Sequence, residues 1–385
     1  MWFEHPRNTS APLAGLKVLE LARVLAGPWT GQMLADLGAD VIKVESPEGD
    51  GTRHWGPPWF EREGADGETE REAAYYHACN RGKRSITADF RDADQLSMVR
   101  ELSAGADVVI ENFLPGKLAQ FALDYGSAAG VNPGVIYCSI TGFGQDGPRA
   151  HEPGYDFVIQ AMCGFMSLNG KPDGDPMKFG VSISDLACAL YAANAVQSAL
   201  LMRHRTGKGQ HIDMSLLDCS VALLANQATS YFATGQSPPR MGNAHAQVSA
   251  YGVFPTKDGP VVLAPANDNL FSKLLRLLER DDLLADARFT TNEARIANRT
   301  ELDTMIATET ASWERENLLR QCAKAGVPAG PINTVAEALV DPQVTARAMQ
   351  VELGGVSGLR SPFTFSDAEL ALDSPSPKKG EHNPQ

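Results

Sequence analysis

Between Gly15 and Ser46 the chain spells out one complete βαβ unit. Leu16-Lys-Val-Leu-Glu-Leu21 is a short apolar run of strand length, and Val41-Ile-Lys-Val-Glu-Ser46 is a second. Between them lie a punctuated turn, Arg23-Val-Leu-Ala-Gly-Pro28, and an apolar helical segment, Trp29 to Asp40. Two buried strands joined by a helical crossover predict a parallel sheet. Gly27-Pro28 falls at the carboxyl end of the first strand, where open α/β sheets bind ligands, and a glycine there lets backbone approach a ligand closely. The turn carries no G-x-G-x-x-G, so the scaffold is of nucleotide-binding type but holds its ligand in another way.

With 385 residues the chain exceeds one ordinary core, which predicts two domains. A composition of 43% hydrophobic and 21% charged residues is that of a soluble globular protein. No apolar run approaches the roughly eighteen residues of a membrane span, and Met1 to Pro12 lacks the apolar core of a signal peptide. Six cysteines without a C-x-x-C pair fit a reducing cytoplasm and argue against a zinc site or a disulfide framework. A net charge of -13 argues against nucleic acid and anionic membrane as partners. An anionic ligand would need a local concentration of basic side chains.

Further strands are predicted at Ser85–Phe90, Ala106–Phe113 and Val135–Thr141, with helices at Asp94–Ala104 and Lys117–Tyr125 between them. This alternation implies a mostly parallel sheet with helices on both faces. The aromatic, Gly- and Glu-rich stretch from Pro47 to Asn80 reads equally as an ordered lid or as a surface excursion. Ser182 to Arg205 is a long, nearly all-apolar helix closed by Gly207, followed by a strand at 211–217 and a helix from Asp218 to Ala233. Gly235-Gln-Ser-Pro-Pro-Arg240 reads as a linker. Beyond it, Ala250–Phe254 and Gly259–Ala264 form a hairpin, with helices at Asn269–Glu279, Arg299–Glu309 and Trp313–Ala325. The polar tail beyond Ser374 is expected to fray.

Several segments are candidates for chemistry. Gly142-Phe-Gly-Gln-Asp-Gly147 has the letters of a dinucleotide fingerprint, but no helix opens behind it to receive a pyrophosphate, so it is read as a Gly-rich loop at the sheet's carboxyl edge. Asn80-Arg-Gly-Lys-Arg-Ser85, with Arg91, is either a phosphate contact or a solvated strand end. Asp185 falls in the first turn of the long apolar helix, where unpaired N–H groups and the helix dipole would keep it ionised. An ionised carboxylate beside a cleft is a competent nucleophile towards an activated acyl group, yet Ser182-x-x-Asp185 is also a capping-box pattern. Tyr155, in Gly154-Tyr-Asp156, is either a ligand contact or a half-buried anchor, and Asp156 reads as a cap. His245, in Gly242-Asn-Ala-His245, is placed near an interdomain cleft or on an ordinary polar loop.

Assembled in order, these segments resemble the class III CoA-transferases, the family typified by formyl-CoA transferase and the carnitine CoA-transferases. The matching pieces include Ala26-Gly-Pro, Leu37-Gly-Ala-Asp-Val-Ile-Lys-Val-Glu, Asn80-Arg-Gly-Lys-Arg-Ser, Glu111-Asn-Phe-Leu-Pro-Gly, Thr141-Gly-Phe-Gly-Gln-Asp-Gly-Pro, Pro153-Gly-Tyr-Asp, Gly207-Lys-Gly-Gln, Gly242-Asn-Ala-His and Val327-Pro-Ala-Gly-Pro-Ile. They run along nearly the whole chain. The resemblance implies that Asp185 is the catalytic aspartate, forming a mixed anhydride with the donor acyl group and then an aspartyl-CoA thioester. It also implies CoA contacts at Leu25, Ala88, Arg91, Asn112, Phe113 and Tyr155, with acyl-CoA as substrate and no prosthetic group or metal.

The α-methylacyl-CoA racemases share this scaffold, but they carry a histidine where Tyr155 stands. A tyrosine, with its ordinary pKa of about 10, is no two-way base near neutral pH. Racemase is therefore the second reading, and a CoA-binding protein without catalysis is the third. Leu25 and Gln120 depart from the glutamine and arginine of the oxalate-handling branch, and a short dicarboxylate such as succinate is the expected acid. Arg240 and His245 are expected contacts to its far carboxylate. The fold expected by resemblance is α/β: a large Rossmann-like, CoA-binding domain over 1–234, with 332–385 returning to it, and a smaller α+β domain over 240–331. The family's interlocked homodimer is expected too.

Overall fold

A computed structural model describes residues 2–3, 9–63 and 69–384. The chain divides into two compact units, one formed by residues 1–165, 178–235 and 345–385, the other by 166–177 and 236–344.

Unit 1 is built on β1 (Lys17–Glu20), β2 (Asp40–Glu45), β5 (Arg84–Thr87), β6 (Val108–Glu111), β7 (Ile136–Thr141) and β8 (Gln210–Ser215), with a separate antiparallel hairpin of β3 (Trp59–Glu63) and β4 (Thr69–Ala73). The six strands are all parallel, in the order β5-β2-β1-β6-β7-β8. This is the doubly wound order in which the chain first winds one way from the central strand and then the other, leaving a crevice at the carboxyl ends of β1 and β6. Helices α1 (Ala26–Asp36), α2 (Ala74–His77), α3 (Ala93–Gly105), α4 (Tyr125–Val131), α5 (Asp156–Met162), α7 (Ile183–Thr206), α8 (Leu216–Ala222) and α9 (Ala225–Thr234) fill the connections, while α6 (Phe165–Leu168) belongs to unit 2 in all but its first residue. Alternate strand residues serve opposite faces. Val18, Val41, Val108, Ile136 and Cys138 pack with Leu34 of α1 and Val196 of α7. Leu19, Ile42, Ile86, Val109 and Tyr137 pack with Val99 and Leu102 of α3.

Unit 2 carries a three-stranded antiparallel sheet, β9 (Gly252–Phe254), β10 (Val261–Leu263) and β11 (Ala329–Pro331), in the order β11-β10-β9. Its core joins Phe254 and Val261 to Phe271 of α10 (Asp268–Leu277), and is completed from α12 (Arg299–Thr310) by Leu302 and from α13 (Arg315–Ala325) by Leu318; α11 (Asn292–Ala297) precedes α12. The hairpin turn closes through the Thr256 N–H on the Gly259 carbonyl, at 3.1 Å. A last hairpin, β12 (Gln350–Leu353) with β13 (Val356–Leu359), belongs to unit 1.

Four local expectations are corrected. The predicted helix at 117–125 is a short 3₁₀ turn, Ala119–Phe121, broken by Ala122 in the left-handed region. Leu118 and Leu123 are both buried, and a spacing of five cannot put both on one helix face. The helix at 218–233 is two, α8 and α9, interrupted where Ala225 has φ 41°. α1 begins at Ala26, so Gly27-Pro28 lie in its first turn, and a Cβ on Gly27 would sit 2.3 Å from that of Ala22; the glycine serves helix–strand packing, not ligand approach. The tail beyond Ser374, as far as it is described (375–384), is ordered along the edge strand β5. His382 N–H donates to the Ser85 carbonyl at 2.8 Å, and the Pro377 carbonyl accepts from Arg53 and the Tyr76 hydroxyl. This segment covers an otherwise open sheet edge, which repays ordering it.

Candidate active site

The crevice between β1 and β6 opens into a cavity of ≈ 520 Å³. Its walls are the segments that leave the carboxyl ends of the strands. Arg23–Ala26 follow β1, Asn112–Leu114 follow β6, Thr141 and Gly142 end β7, and Asp185 comes from α7. Asn112 ties the first two walls together. Its Oδ1 accepts the Arg23 N–H at 3.0 Å and its Nδ2 donates to the Arg23 carbonyl at 2.7 Å. The Arg23 guanidinium lies 5.4 Å from the centre of the Phe113 ring, a cation–π contact. Gly142 and Gly154 cross so closely that a Cβ on either would come within 2.6 Å of the other's Cα. The Gly-rich loop therefore needs its glycine at 142 for this crossing, which brings the backbone of both residues to the cavity wall.

Asp185 sits half-buried in this wall, in the first turn of α7. The capping-box reading fails, because Ser182, the N-cap, makes no side-chain capping hydrogen bond. The helix is capped from elsewhere: Asp156 Oδ1 accepts the Ser184 N–H at 2.9 Å, while its Oδ2 accepts from Gln160 Nε2 at 2.7 Å. The expectation that Asp185 stays firmly ionised is also corrected. Burial, and then the negative charge of Asp156, push its carboxyl up to about 7. One N–H of the helix N-terminus, that of Ser184, is already taken by another carboxylate. The Tyr75 hydroxyl, hydrogen-bonded to Ser182, is pushed up to about 12 by burial and by Asp185.

The cavity brings together Leu25, Asn112, Phe113, Tyr155 and Asp185 among the predicted site residues, and Tyr155 is largely exposed. Ala88 and Arg91 do not line it. Ala88 is buried in the core behind β5, and Arg91 is exposed and paired with Asp89 at 2.9 Å. The segment 80–85 is neither a phosphate contact nor a solvated end. Arg81 pairs with Asp36, Lys83 with Glu20 and Arg84 with Asp40, and the first two pairs are buried. In unit 2, the Arg240 guanidinium donates to the carbonyls of Lys171 and Gly174, and His245 lies beside Tyr251. Arg23 and Lys117 line the cavity and were not singled out from the sequence. The signal for Arg23 was a lone cation in an otherwise apolar turn after a buried strand. Among the described residues no group of three His, Cys, Asp or Glu side chains is placed to hold a metal ion.

Residues 13–383 match the model of CoA-transferase family III. The chain belongs to that family. It is a CoA-transferase, an enzyme that moves CoA between an acyl-CoA and an acid. It is 52% identical to a succinate–glutarate CoA-transferase of Agrobacterium fabrum, over 98% of this chain and 95% of the other. It is 37% identical to the human succinyl-CoA:glutarate CoA-transferase, over 99% of this chain and 87% of that one. A crystal structure of a CAIB/BAIF family protein from Brucella suis superposes with a TM-score of 0.88 at 57% identity, covering 97% of this chain and 98% of the other. The family III assignment agrees with the doubly wound α/β fold and with the resemblance carried by the sequence motifs.

Proposed function

We propose that this CoA-transferase exchanges CoA between short dicarboxylic acids such as succinate and glutarate, with Asp185 as the nucleophile. The observation that carries the reading is Asp185 itself, a carboxyl group with no hydrogen-bonded cation among the described residues, in the wall of the crevice cavity. The names of the relatives support the choice of acids.

An Asp185 oxygen attacks the thioester carbonyl carbon, and the tetrahedral oxyanion collapses with loss of CoA thiolate to leave a mixed anhydride. The thiolate then attacks the aspartyl carbonyl and releases the donor acid, forming an aspartyl-CoA thioester. The acceptor carboxylate attacks that carbonyl and expels thiolate. The thiolate finally takes the new acyl group and frees Asp185. Raised basicity makes the carboxylate a stronger nucleophile once it is ionised. The backbone of Gly142 and Gly154, one buried and one half-buried, lines the cavity wall and is suited to stabilising the oxyanions.

In this reading Leu25, Asn112, Phe113 and Tyr155 hold the pantetheine arm, and Arg23 and Lys117 attract the anionic parts of the substrate. Ala88 and Arg91 are left for the distant nucleotide end of CoA, and Arg91 would exchange its Asp89 partner for phosphate. Arg240 and His245 are less favoured as carboxylate contacts, since the guanidinium of the first is already engaged. The enzyme is further proposed to work as an interlocked homodimer, which the apolar exposure along α5, α7 and α9 supports.

The test is to incubate the enzyme with succinyl-CoA, quench with hydroxylamine or borohydride, and map the adduct by mass spectrometry. Modification of Asp185 is expected. Modification elsewhere, or undiminished CoA exchange by Asp185→Asn, overturns the mechanism.

A further inference from the structure

Glu111, the last residue of β6, is a buried acid for which the transfer chemistry has no use. Its Oε2 accepts the Phe113 N–H at 2.8 Å, closing a turn at the point where the chain leaves the sheet and enters the cavity wall. The Ser139 hydroxyl, in register beside it on β7, hydrogen-bonds the same carboxyl. Ser139 Oγ lies 2.9 Å from His211 Nε2 on β8, and the His211 ring is stacked on Tyr125 at 4.9 Å. These groups line a second, smaller cavity of ≈ 290 Å³ that shares Leu114 with the Asp185 cavity.

The polar groups around Glu111 are Ser139 and Tyr137 from β7, His211 and Asp213 from β8, Gln145 from the Gly-rich loop, and Asp124 and Tyr125 at the start of α4; among the described residues no Lys or Arg lines this cavity. Burial, with the Asp213 charge as a smaller contribution, pushes the Glu111 carboxyl up to about 7, and burial pulls the His211 imidazole below its ordinary value against the opposing charge of Asp213. An acid buried without a counter-cation is expensive, and a packed apolar residue would serve the core better. Its placement makes sense only through what it holds. The turn it closes aims Asn112 at the Arg23 backbone and sets the Phe113 ring beneath the Arg23 guanidinium.

We propose that Glu111 is a positioning residue for acyl-CoA binding: through the Phe113 N–H it fixes the Asn112–Phe113 wall, while Ser139 and His211 hold its carboxyl in place. The proposal rests on the reading of the crevice cavity as the CoA site.

The experiment measures CoA binding to the full-length enzyme by calorimetry, with kcat at saturating acyl-CoA alongside. Glu111→Leu removes the acceptor for the Phe113 N–H, and Glu111→Asp withdraws the carboxylate by one methylene. Both are expected to weaken CoA binding about tenfold. The Asp185 chemistry is untouched, so kcat changes by less than about threefold. Glu111→Gln keeps an oxygen acceptor in place and is expected to restore binding to within about threefold of the natural enzyme. Asn112→Ala serves as the check on the cavity itself. If Asn112→Ala weakens binding while Glu111→Asp does not, the role of Glu111 is overturned and the site stands. If neither weakens it, the assignment of the cavity to CoA falls. A loss in kcat with unchanged CoA affinity also overturns the positioning role. Should Glu111→Leu fail to fold by circular dichroism, the Asp and Gln variants carry the same comparison.

Discussion

The Asp156 carboxylate caps the helix that carries Asp185, accepting the N–H of the residue immediately before it at 2.9 Å. One acid thus fixes the helix end on which the other stands, and its charge raises the neighbour's pKa. The capping role that the local pattern offered to Asp185 is filled from a different helix, leaving Asp185 free of hydrogen-bonded partners among the described residues.

Activity should therefore follow Asp185 ionisation. With its carboxyl at about 7, kcat/KM should fall about tenfold per pH unit on the acid side and level off above. Asp156→Asn keeps an oxygen for the Ser184 N–H and removes the charge. It should shift the midpoint down by up to about 1 unit, less than burial contributes. An unmoved pH profile in this variant would show that another group governs the rate.

The same elevation carries a stability cost with a definite sign. The folded-state pKa of Asp185 lies above its ordinary 3.8, so its stabilising contribution is full below that value and is lost as pH rises through about 7. Asn cannot ionise. Near pH 8, Asp185→Asn should raise Tm by about 2–4 °C while abolishing transfer, and near pH 4 the two proteins should melt together. Scanning calorimetry at the two pH values is the measurement.

How much of this was legible in the sequence depends on how local each cause is. The βαβ opening and α7 were legible because their burial patterns repeat within one element, and α7 ends at Gly207 in the left-handed conformation, as its sequence indicated. The roles of Arg81 and Lys83 were not, because the partners that bury them, Asp36 and Glu20, lie 45 and 63 residues away. The position of Asp185 was read through the family resemblance; the local pattern alone pointed to a cap, since nothing near it shows that Asp156, 28 residues earlier from Ser184, does the capping. The crevice was legible as a consequence of strand alternation, but the 111–113 turn depends on a carboxyl folding back on its own chain, which periodicity does not reveal.

Beneath the crevice, Glu20 receives two lysines, Lys43 at 3.2 Å and Lys83 at 2.8 Å, all three fully buried. Burial pulls Lys83 down, whereas for Lys43 the attraction of Asp50, Glu20 and Glu45 outweighs burial and holds it above its ordinary value. Glu20→Gln strands a buried ammonium and should cost about 3–5 kcal/mol in urea unfolding. Lys83→Met leaves Glu20 with Lys43 and should cost clearly less. Equal losses would contradict the shared-carboxylate arrangement.

The ordered tail gives a further prediction. Ser376 is buried, its carbonyl accepts from Arg62 at 2.8 Å, and Asn383 Oδ1 accepts the Thr87 N–H at 2.8 Å. Deleting residues 374–385 reopens the β5 edge and unpairs the Arg53–Pro377 contact. A loss of roughly 2–4 kcal/mol, with greater aggregation on heating, is expected. A truncated enzyme with unchanged Tm would return the tail to the status of a frayed end.

The apolar surface of unit 1 should be covered by a second copy of the chain. Leu190 is 59% exposed on α7 and Phe232 80% exposed on α9, with Phe157 on α5 at 57%. At 24 residues α7 is long and apolar enough by composition to span a membrane, which corrects the expectation that no apolar run approaches that length; only part of it is buried, and a lone protomer would leave this surface in water. Light scattering after gel filtration should give twice the chain mass at micromolar concentration. The double variant Leu190→Glu, Phe232→Glu places charges where burial would desolvate them and should shift the population to monomer, with CoA exchange falling at least about tenfold. A natural enzyme that elutes as a monomer, or a charged variant that remains dimeric, would show that these helices do not form the interface.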